Sequence, residues 1–320
     1  MIYILIIVIL FVCELAYFAI ADKYNIIDKP NLRSSHTSIT LRGGGIIFLI
    51  GTWIWAAFFG LQYGWFMAGL TLVGMISFID DIHPLDNKIR LLGQFAAMMM
   101  LFANLGFYNA IGWWMVIPAL IVCVGILNAF NFMDGINGIT GGYALSVIIP
   151  IIYLNQKMQF INMPFLIVTA ISLLVFCFFN FRKKAKCFAG DVGSVSIAVI
   201  VIFGLGRLIM ATKDPVYLLF IAVYGADSIL TIVHRIMLHE NLGMAHRKHA
   251  YQLMANELKI PHVFVSLLYT GLQLAVSFGL ILCIRYEWLY FIAVVFLLAL
   301  IYILFIKSKY YLHEEYLKNQ

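Results

Sequence analysis

Charge is scarce in this chain. Of its 320 residues only 11% are Asp, Glu, Lys or Arg, while 63% are hydrophobic. A soluble domain would carry about a quarter charged residues, so a water-soluble globular fold is excluded and an integral membrane protein is indicated. With charge so sparse, the net +6 is no signal for nucleic acid. The five cysteines, at 13, 123, 177, 187 and 283, include no C-x-x-C pair and no Cys/His spacing, so neither a disulfide framework nor a zinc site is indicated. No internal repeat is evident, and the longest polar segment is only about 235–261. No Lys or Arg precedes the first apolar run; Lys23, Lys29 and Arg33 follow it. That order predicts a retained first span rather than a cleaved leader, despite Ala19-Ile20-Ala21.

Apolar runs near the ~20 residues a bilayer crossing needs fall at about 2–20, 44–61, 64–80, 90–107, 112–129, 137–154, 161–180, 193–210, 215–234, 262–283 and 288–306. The sequence therefore predicts an all-α polytopic membrane protein of about eleven transmembrane helices in one domain over 1–320. Placing the N-terminus outside puts seventeen of the 21 Lys and Arg on the cytoplasmic side and leaves Lys157, Arg207, Lys213 and Arg285 outside. The C-terminus is then cytoplasmic. Twelve of the fifteen carboxylates share that side. Glu14 lies within the first run, where packing or snorkelling is the expected role.

The polar residues gather in the cytoplasmic loops, and Asn128–Gly142, NAFNFMDGINGITGG, is the most distinctive. Read as a glycine-rich loop between two spans, it is costly beside lipid unless it faces protein or water. Asn128, Asn131, Asp134 and Asn137 supply oxygens suited to a hard cation or a sugar nucleotide. Adjacent Asp80 and Asp81 repel each other unless a cation neutralises them, and such a pair can bind a metal or act as a base. Arg90, nine residues on, suits phosphate. Gly190-Asp191-Val192-Gly193-Ser194 opens a span, where free helix amides favour an anion and Asp191 a cation; a metal-bound diphosphate satisfies both. Arg182–Lys186 reads as a lipid anchor. In the 235–261 loop His246, Arg247, Lys248 and His249 form a cationic cluster, read as a diphosphate clamp, with the two histidines on one face if helical. The first loop holds His36, Arg42 and the triple glycine 43–45. Together these suit metal-assisted transfer of a phosphoryl-containing group to a lipid at the cytoplasmic interface. A transporter or lipid-binding protein is the alternative, but transporters place polar groups near the midplane, and here they collect at one face.

These motifs, in this order, resemble the polyprenyl-phosphate N-acetylhexosamine-1-phosphate transferases. The resemblance rests on Asp80-Asp81, on Asn128-x-x-Asn131-x-x-Asp134-Gly135, on Gly190-Asp191-x-Gly193-Ser194 and on His246–His249, and it extends to Asp28-x-Pro30-x-x-Arg33-x-x-His36 with Arg42, Gly44 and Gly45. It implies transfer of N-acetylhexosamine-1-phosphate from a UDP-sugar to undecaprenyl phosphate, releasing UMP, by a multi-pass enzyme of the bacterial inner membrane. It implies Mg²⁺, replaceable by Mn²⁺, on Asp191 with Asn131; catalytic roles for Asp80, Asp81, Asp191 and His246; and substrate binding by His36, Arg42, Arg90, Asn128, Asn131, Asp134, Asn137, Arg247 and His249. The product would open O-antigen, capsule or other envelope polysaccharide synthesis. A homodimer is left open, and the sugar is not specified. Where many bacterial members read DG-x-DG, this chain has Gly135-Ile136-Asn137-Gly138, one negative charge fewer.

Overall fold

The computed structural model describes residues 1–30, 35, 39–110, 112–244 and 246–318, without the side chains of 315–318. The chain is almost wholly helical. We number the main helices α1 (Ile2–Lys23), α2 (Ile46–Phe59), α3 (Gly64–Ile82), α4 (Asn87–Leu105), α5 (Val116–Met133), α6 (Ile139–Met158), α7 (Met163–Asn180), α8 (Gly190–Thr212), α9 (Ala222–Met237), α10 (His262–Leu282) and α11 (Glu287–Lys318). Each overlaps one predicted apolar run. Among the described residues nine segments are long and apolar enough to cross a membrane. The two helices that fall short are α2, with 14 residues, and α4, which begins with Asn87, Lys88 and Arg90. The apolar run at 90–107 counted only the greasy part of a helix whose first turn is polar.

Helix ends follow local chemistry. Asp86 accepts from the Lys88 amide at 2.9 Å and starts α4; Gly106 at φ +68° ends it. Asn162 caps α7 through the Phe165 amide at 3.1 Å. The central element is α8, buried on all sides from Val192 to Leu205 and packed by α2, α3, α4, α5 and α6. A helix apolar all round must be enclosed by others. Asp191, in its first turn, is thereby fixed at the centre of one end of the bundle.

Two two-residue strands, β1 (Ile27–Asp28) and β2 (Thr40–Leu41), pair antiparallel. Leu41 also bridges Cys187, and the amides of Gly44 and Gly45 donate to the carbonyls of Phe188 and Ala189 at 2.9 and 3.1 Å. The first loop is thus stitched to the segment that leads into α8.

One expectation is corrected and one is narrowed. Asn128–Gly142 is mostly not a loop: α5 continues to Met133 and α6 begins at Ile139, so the break is Asp134–Gly138. Asn128 and Asn131 stay helical, their side chains held by Gln94 and Asp191 on neighbouring helices, and Gly141 and Gly142 are packing contacts against Cys177, Phe176 and Phe181. Of the packing and snorkelling roles expected for Glu14, packing is the one the structure shows: the residue is fully buried, with the Cys187 thiol 3.7 Å from Oε1.

Candidate active site at the start of α8

Asp80 and Asp81 lie in the last turn of α3. The first amides of a helix have no partner within it, and Asp81 supplies one for α8: its Oδ1 accepts from the Asp191 amide and its Oδ2 from the Val192 amide, both at 2.9 Å. Gly190, at φ +71°, lets the chain turn there; a Cβ on it would stand 2.6 Å from Asp81 Oδ2. Arg42 pairs with Asp81 (Nε–Oδ1, 2.6 Å) and with Asp191 (Nη2–Oδ1, 3.3 Å). Arg90, from the first turn of α4, pairs with Asp80 (Nη1–Oδ2, 3.2 Å) and Asp191 (Nη2–Oδ2, 3.1 Å). Asn131, on the last turn of α5, donates to Asp191 Oδ1 and to Ser194 Oγ, each at 3.1 Å. Three carboxylates and two guanidiniums thus alternate around Asp191. Burial opposes the charge on Arg42, but the carboxylates of Asp81 and Asp191 outweigh it and hold the guanidinium above its usual value.

The members differ in access. The Asp81 side chain is fully covered and that of Asp191 is 16% exposed. Asp81 therefore has the geometry of a helix cap, and Asp191 of a group that can meet a ligand. Among the described residues no three His, Cys, Asp or Glu side chains converge closely enough to hold a metal by themselves; guanidiniums stand between the carboxylates instead.

Beside this network opens a cavity of about 540 Å³, lined by Arg90, Gln94, Asn128, Arg235, His246 and His249 among others. Arg90 belongs to both. Asn128 donates to Gln94 Oε1 at 3.1 Å and to the Val124 carbonyl at 2.8 Å. His246–Lys248 are not helical, yet the His246 and His249 rings lie 5.0 Å apart. Burial, reinforced by His249 and Arg235, pushes the His246 imidazole down to about 3. It is neutral near pH 7, so the expected four-residue cationic clamp loses part of its charge. Lys248 is engaged with Glu240 and Arg247 with Glu257 at 3.1 Å.

Asp134 sits in the short break and accepts from Thr140 Oγ1 at 2.5 Å. Burial of its carboxyl raises it to about 7, opposed by the Thr140 bond and helped by Asp191. Asn137 faces protein: it donates to the carbonyls of Arg182 and Lys183 at 3.0 and 3.3 Å, and Ser266 donates to its own carbonyl at 2.8 Å. His36 lies outside the described residues. The Asp134 shift has a stability consequence. Because the folded state holds this proton more tightly, its contribution is full below the ordinary carboxylate value near 4 and is lost as pH rises through about 7. Asp134→Asn should therefore flatten the fall in thermal stability between pH 4 and 7, read by melting the purified protein at several pH values; a variant slope equal to wild type would remove this assignment.

Sequence reasoning passed over several residues of the region. Gln94 holds Asn128. Asn180 accepts from the Gly138 amide at 2.7 Å and donates to the Cys187 carbonyl at 2.8 Å, tying two loops together. Glu257 takes both Arg247 and His313. Asp227 receives the His249 loop. The available signal was a polar residue inside an apolar run, which has to find a partner.

The fold and this polar end define a polytopic membrane protein with a charged pocket at one end of its bundle. Residues 63–207 match the model of glycosyl transferase family 4. The chain is 26% identical over 259 residues to a probable undecaprenyl-phosphate N-acetylglucosaminyl 1-phosphate transferase of Bacillus subtilis, covering 74% of this chain and 72% of the relative. It is 28% identical to a phospho-N-acetylmuramoyl-pentapeptide-transferase of Thermotoga maritima, covering 62% and 71%, and 27% identical to the undecaprenyl-phosphate alpha-N-acetylglucosaminyl 1-phosphate transferase of Escherichia coli K12, covering 78% and 75%.

Proposed function

We propose that this protein transfers N-acetylhexosamine-1-phosphate from a UDP-sugar to undecaprenyl phosphate, releasing UMP, at the cytoplasmic face of a bacterial inner membrane. The observation that carries the reading is the Asp80–Arg90–Asp191–Arg42–Asp81 network beside a polar cavity, at the end of an otherwise apolar bundle. Arg90 is the hinge of the argument. A guanidinium held by two carboxylates binds phosphate equally well, so an arriving phosphate competes with Asp80 and Asp191 for it and frees the carboxylates as it docks.

The donors around Asp191 fit a divalent magnesium ion. They are the partly exposed Asp191 carboxylate and the Asn131 amide, which presents Oδ1 once turned about. Magnesium needs only one or two carboxylates from protein and completes its shell with water and substrate phosphates, which this donor set allows. Mn²⁺ would take the same oxygens. Bound there, the ion would screen the repulsion between the two phosphate-bearing substrates. Asp80, released from Arg90, accepts the proton of the lipid phosphate, and that phosphate oxygen attacks the β-phosphorus as UMP leaves. Asp81 holds the start of α8 in place. Asn128, His246 and His249 face the sugar nucleotide from the cavity wall. Asp134 stands near the nucleotide, and Arg42 steadies Asp191. Arg247 reaches a phosphate only by leaving Glu257. The product would initiate an envelope polysaccharide such as O-antigen or capsule, and a homodimer is compatible with this reading.

Purified protein given a UDP-N-acetylhexosamine, undecaprenyl phosphate and Mg²⁺ or Mn²⁺ should release UMP, and omission of the lipid phosphate or the cation should stop it. Lipid-independent turnover, or substrate flux into sealed vesicles without UMP, would replace the transferase by a transporter.

A further inference from the structure

We propose that Asp227 is a positioning residue for the reaction, holding the His249 imidazole so that Nε2 is the atom substrate meets. The inference rests on the transferase reading and adds a residue to it.

Asp227 lies on α9 and is buried. A carboxylate in such a place needs its oxygens filled, and five donors surround it. The Ala250 amide gives to Oδ1 at 3.0 Å and the Tyr251 amide to Oδ2 at 3.3 Å. The Tyr269 hydroxyl gives to Oδ2 at 2.6 Å, and Thr231 Oγ1 to Oδ1 at 3.2 Å. The fifth is His249, with Nδ1 3.3 Å from Oδ1. The amides fix the start of the short helix Ala250–Gln252, and the ring contact fixes the residue just before it.

That contact decides the tautomer. The Gln252 amide also points at Nδ1, the only ring nitrogen with a partner, and would have it accept; but an ionised carboxylate can only accept, so a bare Nδ1 lone pair facing Asp227 would be repelled, and the charged contact is the stronger of the two. Nδ1 therefore carries the proton toward Asp227, which leaves Nε2 as the other ring atom. His249 is 2% exposed, its Nε2 has no hydrogen-bond partner, and the residue lines the cavity shared with Arg90 and Asn128. A buried, unpartnered ring nitrogen at the wall of a polar cavity is costly in the absence of something to bind. A carboxylate behind a histidine, fixing tautomer and aim while the far nitrogen works, is a recurring arrangement in catalysis. Here the far nitrogen accepts from a substrate hydroxyl.

The experiment is a double-mutant cycle on UMP release with Asp227→Asn, His249→Gln and the pair. If Asp227 works through His249, Asp227→Asn lowers kcat by about 100-fold with KM for the UDP-sugar nearly unchanged, and the double variant is no worse than His249→Gln alone. Asp227 also supports local backbone, so Tyr269→Phe is the milder probe: it loosens Oδ2 and leaves the His249 contact. It should cost several-fold in wild type and nothing further in the His249→Gln background. Histidine ¹⁵N spectra of the wild type, with His249 assigned by its loss in His249→Gln, should show Nδ1 protonated. Additive losses, or a His249 signal with the proton on Nε2 alone, would overturn the proposal. An inactive wild type would instead sink the transferase reading and leave the tautomer measurement standing.

Discussion

Asp191→Asn is expected to cut UMP release by about 100-fold or more while the protein still folds. The carboxylate is shared by Arg42, Arg90 and Asn131, and it is the more open of the acids in that network. A neutral amide of the same shape loses both ion pairs and the favoured oxygen for a divalent cation. The backbone keeps its place, because the cap on α8 runs through the Asp191 and Val192 amides to Asp81 and is untouched by the substitution. The comparison is Lys184→Ala. Lys184 is exposed in the basic turn after α7, so its removal should leave the initial rate within about twofold, the size of effect expected for a screened surface charge. Initial rates of UMP release for both variants, with thermal melts to certify folding, decide the matter. Similar losses in the two would mean that the network around Asp191 is not the reacting centre.

How far the site could be read from sequence depends on what each residue touches. The acidic pair, the α8 opening, Arg42 and Arg90 stood out because carboxylates and arginines at the ends of apolar runs have few other reasons to be there, and the fold brings them into one network. Their division of labour was not legible. Asp80 and Asp81 are adjacent in sequence, yet Asp80 faces Arg90 while Asp81 is sealed against α8; only the packing of α3 on α8 separates them. The helices were legible from hydropathy, but the extent of α5 was not. Asn128 and Asn131 read as loop residues until Gln94, Ser194 and Asp191 are seen to hold their amides in the helix. Arg247 and Lys248 were read as a clamp because Glu257 and Glu240 are distant in the local pattern and close in space. Asp227 was placed only as one more carboxylate on the cytoplasmic side, its partner being 22 residues away.

Gly193→Ala should be nearly as damaging as the loss of Asp191, although it removes no functional group. A Cβ at Gly193 would lie 2.6 Å from Gly45 Cα, and one at Gly45 would lie 2.3 Å from Gly193 Cα. These are contacts with backbone, so no side chain can turn aside to relieve them. The starts of α2 and α8 would have to separate, at a packing cost of about 1–3 kcal/mol or more. The strain lands on the working parts, because Arg42 lies three residues before Gly45 and Asp191 two before Gly193, and their 3.3 Å pairing spans this same contact. Activity should fall by at least about tenfold, as a misplacement of an ångström or so can cost that much or more, and the melting temperature should drop with it. Gly271→Ala on α10 is the matched control, since nothing lies within 4 Å of the added methyl and alanine is the better helix former; its activity should be unchanged and its stability equal or higher. A Gly193→Ala protein with full activity and an unshifted melt would mean that the α2–α8 glycine contact does not set the spacing of Arg42 and Asp191, and that the triple glycine is there to turn the chain rather than to let two helices touch.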